Sequence, residues 1–376
     1  MKVLLGLSGG VDSAIAAYKL KEAGYDVTGC FMRNWDALAN NDYLGNPTIN
    51  YSCCPQEADY HDAQKVAAKL GIPLIRVDFV KEYWDEVFSY FLNEYKKGRT
   101  PNPDVLCNKY IKFDKFLKYA LEHGYDAIAM GHYAKKATFE GHEYLYKPLD
   151  LKKDQTYFLC QVNEEQLKHS LFSMESITKV EARDLAKKLG LNEVASKHGS
   201  TGVCFIGERN FRQFLHNYFP AQKGNVVDLA SKKVIGTHMG VLYYTLGQRH
   251  GLGIGGVKGE EDGAWFIAKK DVTNNILYVS QGDASMLDST SCLVSDVNWI
   301  GPKSDKPILV GVKFRYRQMD NPCYLSWESN GSIRLNYVKP VASVTPGQFA
   351  VFYDKGRMLG GGIIEATFVG EKRSDI

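Results

Sequence analysis

The chain has 376 residues, of which 44% are hydrophobic and 24% are charged, and its formal net charge is +3 at pH 7. This composition is typical of a soluble globular protein and allows two or three domains. No apolar run reaches the roughly 18 residues of a membrane helix, and the N-terminal apolar stretch is too short for a signal peptide. We therefore expect a cytoplasmic protein with no membrane partner. The small net charge does not by itself indicate nucleic-acid binding.

The first half of the chain alternates strand and helix patterns, starting with the apolar run KVLLGL. Strands separated by helices of ordinary length predict a doubly wound parallel sheet, with ligands bound beyond the carboxyl ends of the strands. A proline-bounded loop at 99–108 is expected before the last of these helices. The predicted strands are 2–7, 26–32 and 73–79, and the segment 126–134 is predicted as a strand followed by a turn. The predicted helices are 11–24, 57–71, 82–98 and 109–124.

From about Asn225 the pattern changes to short segments rich in glycine and aromatic residues, with strands predicted at 240–256, 264–271 and 275–282. After Asp288 the segments alternate and carry hairpin signals such as Asn330-Gly331. We predict an α/β catalytic domain over 1–222, a small β-rich central domain over 223–287 and a C-terminal β-barrel over 288–376.

The first strand leads through the turn SGGVDS into a helix. Gly9 and Gly10 allow a tight backbone whose N–H groups can approach a ligand. The positive end of the helix points to the same place, and Ser8 and Ser13 add hydroxyl donors, so the turn predicts a phosphate cradle. Asp12 suits a Mg²⁺ ion that bridges phosphates, although an acid in the first helical turn can also simply complement the helix dipole. A glycine turn without a ligand is the alternative for the whole motif.

SGGVDS resembles the PP-loop of the ATP pyrophosphatases. That resemblance implies cleavage of ATP between the α and β phosphates, with ATP and Mg²⁺ as cofactors. AMP is then left on an oxygen of the acceptor, which becomes a leaving group. The motif does not identify the acceptor.

Two of the eight cysteines stand in segments that suggest chemistry, and no CxxC spacing typical of zinc or thioredoxin-like sites occurs. Asp104 precedes Cys107 by three residues, and we expect Cys107 at the start of a helix, where the dipole and nearby cations favour a thiolate. The cations are Lys97, Arg99 and Lys109. A buried structural cysteine is the alternative, and the polar neighbours in sequence disfavour it. Cys204 lies in the apolar string VCFI and, taken alone, is more typical of a core residue.

These segments together resemble the tRNA-specific 2-thiouridylases over nearly the whole chain. The matching strings, in order, are SGGVDS, GRTPNPDVLCNKYIKF, GHYA, KDQTYFL, STGVCFIGERNF, YYTLGQRHGLGIGG, KFRYRQ and TPGQ. The resemblance implies an enzyme that adenylates the 2-oxygen of the wobble uridine in tRNAs for Lys, Glu and Gln and replaces it with sulfur, releasing AMP and pyrophosphate. It also implies a persulfide donor as partner, either a cysteine desulfurase or a sulfur-relay protein.

The same resemblance assigns roles to residues. Cys204 would carry the persulfide, Cys107 would release the sulfur by forming a disulfide with Cys204, and Asp104 would manage protons. The nucleotide would contact Gly6, Leu7, Ser8, Gly9, Gly10, Val11, Asp12, Ser13, Met32 and Gly131. The target base would contact Asn102, Pro103 and Asp104. Other tRNA contacts would come from His132, Lys153, Asp154, Gln155, Arg315, Tyr316 and Gln348.

Three positions depart from the usual family strings: Tyr110, Met130 and Gly199. Two other functions therefore stay open, a PP-loop amidotransferase or ligase acting on a small acceptor and a catalytically impaired tRNA-binding paralogue. A ligase would need neither cysteine, and a paralogue without catalysis would release no AMP.

Overall fold

The computed structural model describes residues 1–46, 55–197, 206, 209–252, 254, 265–282 and 284–374. No helix in this described part is long and apolar enough to cross a membrane. The strands are β1 (Lys2–Gly6), β2 (Asp26–Arg33), β3 (Leu74–Asp78), β4 (Ala127–Ala129), β5 (Lys135–Phe139), β6 (His142–Tyr146), β7 (Ser170–Leu171), β8 (Gly224–Asp228), β9 (Val234–His238), β10 (Trp265–Asp271), β11 (Ile276–Gln281), β12 (Asp288–Trp299), β13 (Ile308–Lys313), β14 (Asn321–Trp327), β15 (Ile333–Ala342), β16 (Phe349–Asp354), β17 (Arg357–Val369) and β18 (Lys372–Arg373).

The α-helices include two that are interrupted by π-helical segments. Trp84–Phe88 joins α3 to α4, and Cys107–Lys115 joins α5 to α6, so each set forms one continuous helix. The helices are α1 (Val11–Glu22), α2 (Pro55–Leu70), α3 (Val80–Tyr83), α4 (Ser89–Lys96), α5 (Pro103–Leu106), α6 (Phe116–Glu122), α7 (Glu164–Lys168), α8 (Lys179–Lys188), α9 (Asn192–Ser196) and α10 (Phe211–His216).

A five-stranded parallel sheet in the order β3-β2-β1-β4-β7 forms the first part of the molecule. Alternate residues of β1 enter different cores: Leu4 packs on the side of Cys107, whereas Val3 and Leu5 pack on the side of α1 and α8. Both faces of the sheet are thus covered, which explains why its central strands β1 and β4 are mostly apolar. The predicted doubly wound fold is confirmed.

The second part of the molecule consists of two β structures. One is a four-stranded sheet in the order β10-β11-β8-β9. The other is a barrel in which the run β12-β15-β14-β13-β16-β17 is closed by pairing of β12 with β17. The hairpin β5–β6 of the first part extends this barrel through β17, where Met358 pairs with Leu145. The predicted β-rich unit and barrel are confirmed, and the exact domain boundaries stay a prediction.

Two local predictions were wrong. Part of the segment predicted as a strand at 240–256 forms a 3-10 turn at Val241–Tyr243, because Gly240 and Gly247 have positive φ angles that interrupt an extended chain. The helix predicted to start at 109 starts at Pro103. Its N-cap is Asn102, whose side-chain oxygen accepts a hydrogen bond from the backbone N–H of Val105 at 3.3 Å.

Candidate functional site

The SGGVDS turn connects β1 to α1, as predicted. Gly9 has a φ of +72°, and a Cβ atom there would overlap the carbonyl oxygen of Asp59, so only glycine fits. The Ser13 hydroxyl donates to the carbonyl oxygen of Gly10 at 3.0 Å and accepts from the backbone N–H of Ser8 at 3.2 Å. The Ser13 hydroxyl therefore holds the turn together, while Ser8 is exposed at the mouth of the turn.

Other predicted nucleotide contacts converge on this turn from neighbouring strands. A Cβ atom at Gly6 would lie 2.6 Å from the sulfur of Met130 and 2.9 Å from the methyl carbon of Met32. A Cβ atom at Gly131 would lie 2.7 Å from the backbone nitrogen of Ser13. The carboxyl ends of β1, β2 and β4 therefore meet here, which is where a parallel sheet binds ligands. Met130, one of the departures from the family strings, fills space beside the first glycine.

The carboxylate of Asp12 already has two partners that the sequence did not predict. The ammonium group of Lys179 donates to both oxygens, at 2.6 and 2.7 Å, and the hydroxyl of Tyr133 donates to Oδ1 at 2.9 Å. Burial lowers the pKa of Lys179, and the attraction of Asp12 opposes that shift. The capping pattern around Thr178 reveals that a helix begins there. Nothing in the sequence relates that helix to a residue 167 positions earlier.

A Mg²⁺ ion fits this site only if Lys179 moves away from Asp12. No group of three His, Cys, Asp or Glu side chains within the described ranges could hold a metal by itself. An ion here would depend on one carboxylate and on phosphate oxygens, a set that Mg²⁺ accepts. Because Lys179 occupies both oxygens of Asp12, it would have to leave at least one of them.

Cys107 is 0% exposed and lies one turn inside its helix, at the first residue of the π-helical segment. The expectation of a thiol at the helix start was therefore wrong, because Pro103 fits the first helical position, where its missing N–H costs nothing. The cations expected beside the thiol bond to carboxylates: Lys97 to Glu94, Arg99 to Glu94 and Glu365, and Lys109 to Asp296. Tyr110 packs against the same core.

The helix of Cys107 and the SGGVDS turn both contact the segment 130–133. The ring of Phe113 stacks on His132 with centroids 5.9 Å apart, and His132 directly follows Gly131, which touches the turn. Burial lowers the pKa of His132 well below its usual value, so this ring is neutral near pH 7. Its Nδ1 atom is buried and has no hydrogen-bond partner among the described residues.

Cys204 and Gly199 lie outside the described residues. The chain on their C-terminal side is held by a buried ion pair, in which Arg209 donates to Asp42 at 2.8 Å. Gly45 approaches the same place, since a Cβ atom there would lie 2.7 Å from the carbonyl oxygen of Asn210. The polar segment after β2 therefore anchors the chain that follows Cys204.

Several predicted tRNA contacts are used inside the protein. Asp154 is 3% exposed and accepts from the ammonium group of Lys313 at 2.8 Å, which connects the barrel to the first part of the molecule. The side chain of Gln348 donates to the carbonyl oxygen of Thr100 at 2.8 Å. The side chain of Gln155 accepts from a backbone N–H at 2.9 Å.

Three of the other predicted tRNA contacts reach the surface, whereas His132 and Pro103 are buried. Lys153 and Arg315 are exposed, and Tyr316 is half-buried with its ring 4.4 Å from that of Phe158. The guanidinium of Arg315 donates to the carbonyl oxygen of Ser343 at 2.9 Å, which orients it along the barrel. Cations beside an aromatic pair are typical of surfaces that bind single-stranded RNA.

Comparisons with known families cover nearly the whole chain. Residues 1–208 match the family described as tRNA methyl transferase HUP domain. Residues 212–281 match the tRNA methyl transferase PRC-barrel domain, and residues 289–364 match the aminomethyltransferase beta-barrel domain.

Similar proteins include three named tRNA-specific 2-thiouridylase MnmA. The protein of Mycoplasma capricolum is 52% identical, covering 97% of this chain and 98% of its own length. The protein of Mycoplasma mycoides is 53% identical with the same coverage, and that of Ureaplasma parvum is 47% identical, covering 100% and 97%. A solved 4-thiouridine synthetase–RNA complex with bound ATP covers 55% of this chain and 46% of its own at 15% identity, with a TM-score of 0.33, too low to carry an argument.

Proposed function

The chain belongs to the family of tRNA-specific 2-thiouridylases, and on this premise we propose that it is a cytoplasmic, ATP-dependent tRNA sulfurtransferase. It replaces the 2-oxygen of the wobble uridine with sulfur. The observation that carries the proposal is that a phosphate-binding turn and the helix of Cys107 meet at the segment 130–133. The turn that would activate the oxygen and the helix of the thiol that would release the sulfur thus adjoin one segment.

The first half-reaction is adenylation at the turn. The N–H groups of Gly9 and Gly10 and the N-terminus of α1 hold the phosphates. The uridine 2-oxygen attacks the α-phosphorus, and the bond to pyrophosphate breaks. A bound Mg²⁺ ion would neutralise phosphate charge beside Asp12, provided that Lys179 releases that carboxylate.

The second half-reaction transfers sulfur from a cysteine desulfurase or relay protein through Cys204. The terminal persulfide sulfur bonds to C2 of the uridine, and the C–O bond breaks as AMP leaves. The Cys107 thiolate attacks the sulfur of Cys204, forming a disulfide and freeing the transferred atom. This attack requires the two Cα atoms to approach within about 7 Å. Because Cys107 is fully buried, the site must open around it before the reaction.

The candidate base contact is a buried ring that becomes accessible when the site opens, and the candidate RNA contacts lie at the surface. Neutral His132, with an unpartnered ring nitrogen among the described residues, is suited to hydrogen-bond a flipped base. Lys153, Arg315 and Tyr316 are suited to hold the RNA backbone and bases on the barrel face. We assign Asp154 and Gln348 to the support of this surface, because their side chains bond within the protein.

The proposal is tested with purified protein, ATP, tRNA and a sulfur donor, by mass spectrometry of digested tRNA. We expect 2-thiouridine at the wobble position together with AMP and pyrophosphate. Cys107→Ser should abolish 2-thiouridine, whereas Cys323→Ser, a matched change at a buried barrel cysteine, should not. ATP turnover by wild type that yields no 2-thiouridine and persists unchanged in Cys107→Ser would indicate the ligase instead. A wild-type protein that releases no AMP with tRNA would indicate the impaired paralogue.

A further inference from the structure

The backbone of Lys179, the lysine that bonds Asp12, is held firmly in place. Lys179 is the first residue of α8, and its backbone N–H donates to the carboxylate of Asp150 at 2.9 Å. The helix start is fixed by a capping box in which Thr178 and Glu181 bond each other's backbone N–H groups. The base of the side chain is therefore fixed, and only its flexible end can move.

The ammonium end occupies the place that a metal would need. It bonds both oxygens of Asp12, and the hydroxyl of Tyr133 bonds one of them from the other side. The Asp12 side chain is 35% exposed to solvent, whereas the Lys179 side chain is 11% exposed. Solvent, or an incoming ion, can therefore reach the acid more easily than the base.

Further positive charge lies beside this pair. Arg183 stands one turn along α8 from Lys179, and its Nε atom is buried without a hydrogen-bond partner among the described residues. Arg183 and Lys153 both act electrostatically on Lys179 and lower its pKa. Arg183 and Lys153 thus lie within electrostatic range of Lys179, which itself bonds Asp12.

We infer that Lys179 and Arg183 form a subsite for the pyrophosphate part of ATP, and that Lys179 moves from Asp12 to that pyrophosphate when a metal–nucleotide complex binds. The inference rests on the proposed ATP-dependent function. An ammonium group has three donors on a rotatable stem, so it can exchange a carboxylate for phosphate oxygens without movement of the helix. The exchange frees Asp12 for the metal and gives the unpartnered Arg183 nitrogen an acceptor.

The test uses inorganic pyrophosphate with Mg²⁺ and, separately, Mn²⁺ alone, as probes of the full-length protein. Lys179→Met should weaken pyrophosphate binding about ten- to hundredfold in calorimetry, because a charge-assisted contact is lost. AMP binding should not change. In the absence of nucleotide, Lys179→Met should bind Mn²⁺ several-fold more tightly by electron paramagnetic resonance, because its competitor for Asp12 has gone. Lys188→Met, at the exposed end of the same helix, should match wild type in every assay.

In Lys179→Met the affinity for pyrophosphate should fall while the affinity for Mn²⁺ rises. These opposite changes distinguish an exchange of partners by Lys179 from a structural role, because a damaged fold would weaken both affinities. The inference is overturned if wild type binds no pyrophosphate, if Lys179→Met retains its affinity, or if that variant loses Mn²⁺ binding. Should Lys179→Met fold poorly, Lys179→Arg must keep pyrophosphate affinity and Arg183→Gln must lower it. If Lys179→Met binds pyrophosphate more weakly and Mn²⁺ more tightly, but wild type makes no 2-thiouridine, the proposed function alone is refuted. If wild type thiolates tRNA normally but Lys179→Met has unchanged affinities for pyrophosphate and Mn²⁺, only the subsite is refuted.

Discussion

Asp154→Ala distinguishes a folding contact from an RNA contact at a position where the family strings suggest RNA. Oδ2 of Asp154 accepts from the ammonium group of Lys313 at 2.8 Å. Oδ1 accepts from the hydroxyl and the backbone N–H of Thr156 at 2.6 and 3.0 Å. Both ionic side chains are at least nine-tenths buried. The substitution would therefore leave an ammonium group and two donors in the protein interior without their acceptor.

The expected loss is large because the uncompensated charge stays buried. Breaking one side of a buried ion pair costs about 3–5 kcal/mol of unfolding free energy. With an unfolding entropy of about 2.1 cal/mol/K per residue, each kcal/mol lowers the Tm of a 376-residue chain by roughly 1.3 °C, which gives a decrease of about 4–6 °C. Asp154→Asn should lose less, since an amide oxygen can still accept from Thr156. The double change Asp154→Ala with Lys313→Met should recover much of the loss, because it removes both charges.

Thermal unfolding followed by circular dichroism measures the effect, and filter binding of tRNA at several salt concentrations measures the alternative. Asp305→Ala, at an exposed barrel position, serves as the matched control and should unfold like wild type. A wild-type Tm in Asp154→Ala, combined with loss of tRNA affinity, would refute the structural assignment and restore the RNA role.

The remaining predictions concern the candidate site. Asp12→Asn should abolish pyrophosphate release while tRNA binding persists, and undiminished release would contradict its role beside the phosphates. Arg315→Ala should weaken tRNA binding and reduce the slope of log affinity against log salt by about one, whereas an unchanged slope would exclude a phosphate contact. Because burial lowers the pKa of His132 well below 6.5, the unfolded chain takes up this proton before the folded protein as the pH falls. The free energy of unfolding should therefore decrease from pH 7 to pH 5. His132→Asn should reduce that decrease in urea titrations, and an equal decrease would contradict the buried neutral ring.

The parallel sheet could be predicted because its strands are short apolar runs, each closed by a polar residue or glycine. The turn at Gly9 was recognisable for a local reason, since its positive φ demands glycine. Signals of this kind lie within a few residues of the structure that they determine. They are therefore visible in the sequence before any tertiary contact is known.

The start of the Cys107 helix was also visible but was interpreted wrongly. The two prolines favour a loop, although Asn102 followed by Pro103 is also a favourable N-cap and first helical residue. The partners of Asp12 are different, because a contact across 167 residues leaves no local pattern. For the same reason, the family strings could not reveal that Asp154 and Gln348 bond within the protein.

Asp12 and Asp154 show how burial decides what an acid–lysine contact can do. Each carboxylate bonds a lysine from a distant element at nearly the same distance. The Asp12 side chain is 35% exposed, so water or a bound ion can take the place of the ammonium group on this carboxylate. The Asp154 side chain is 3% exposed, so separation would strand two buried charges. The first contact is therefore exchangeable and suited to a reaction cycle, whereas the second is fixed and suited to holding the barrel against the catalytic sheet.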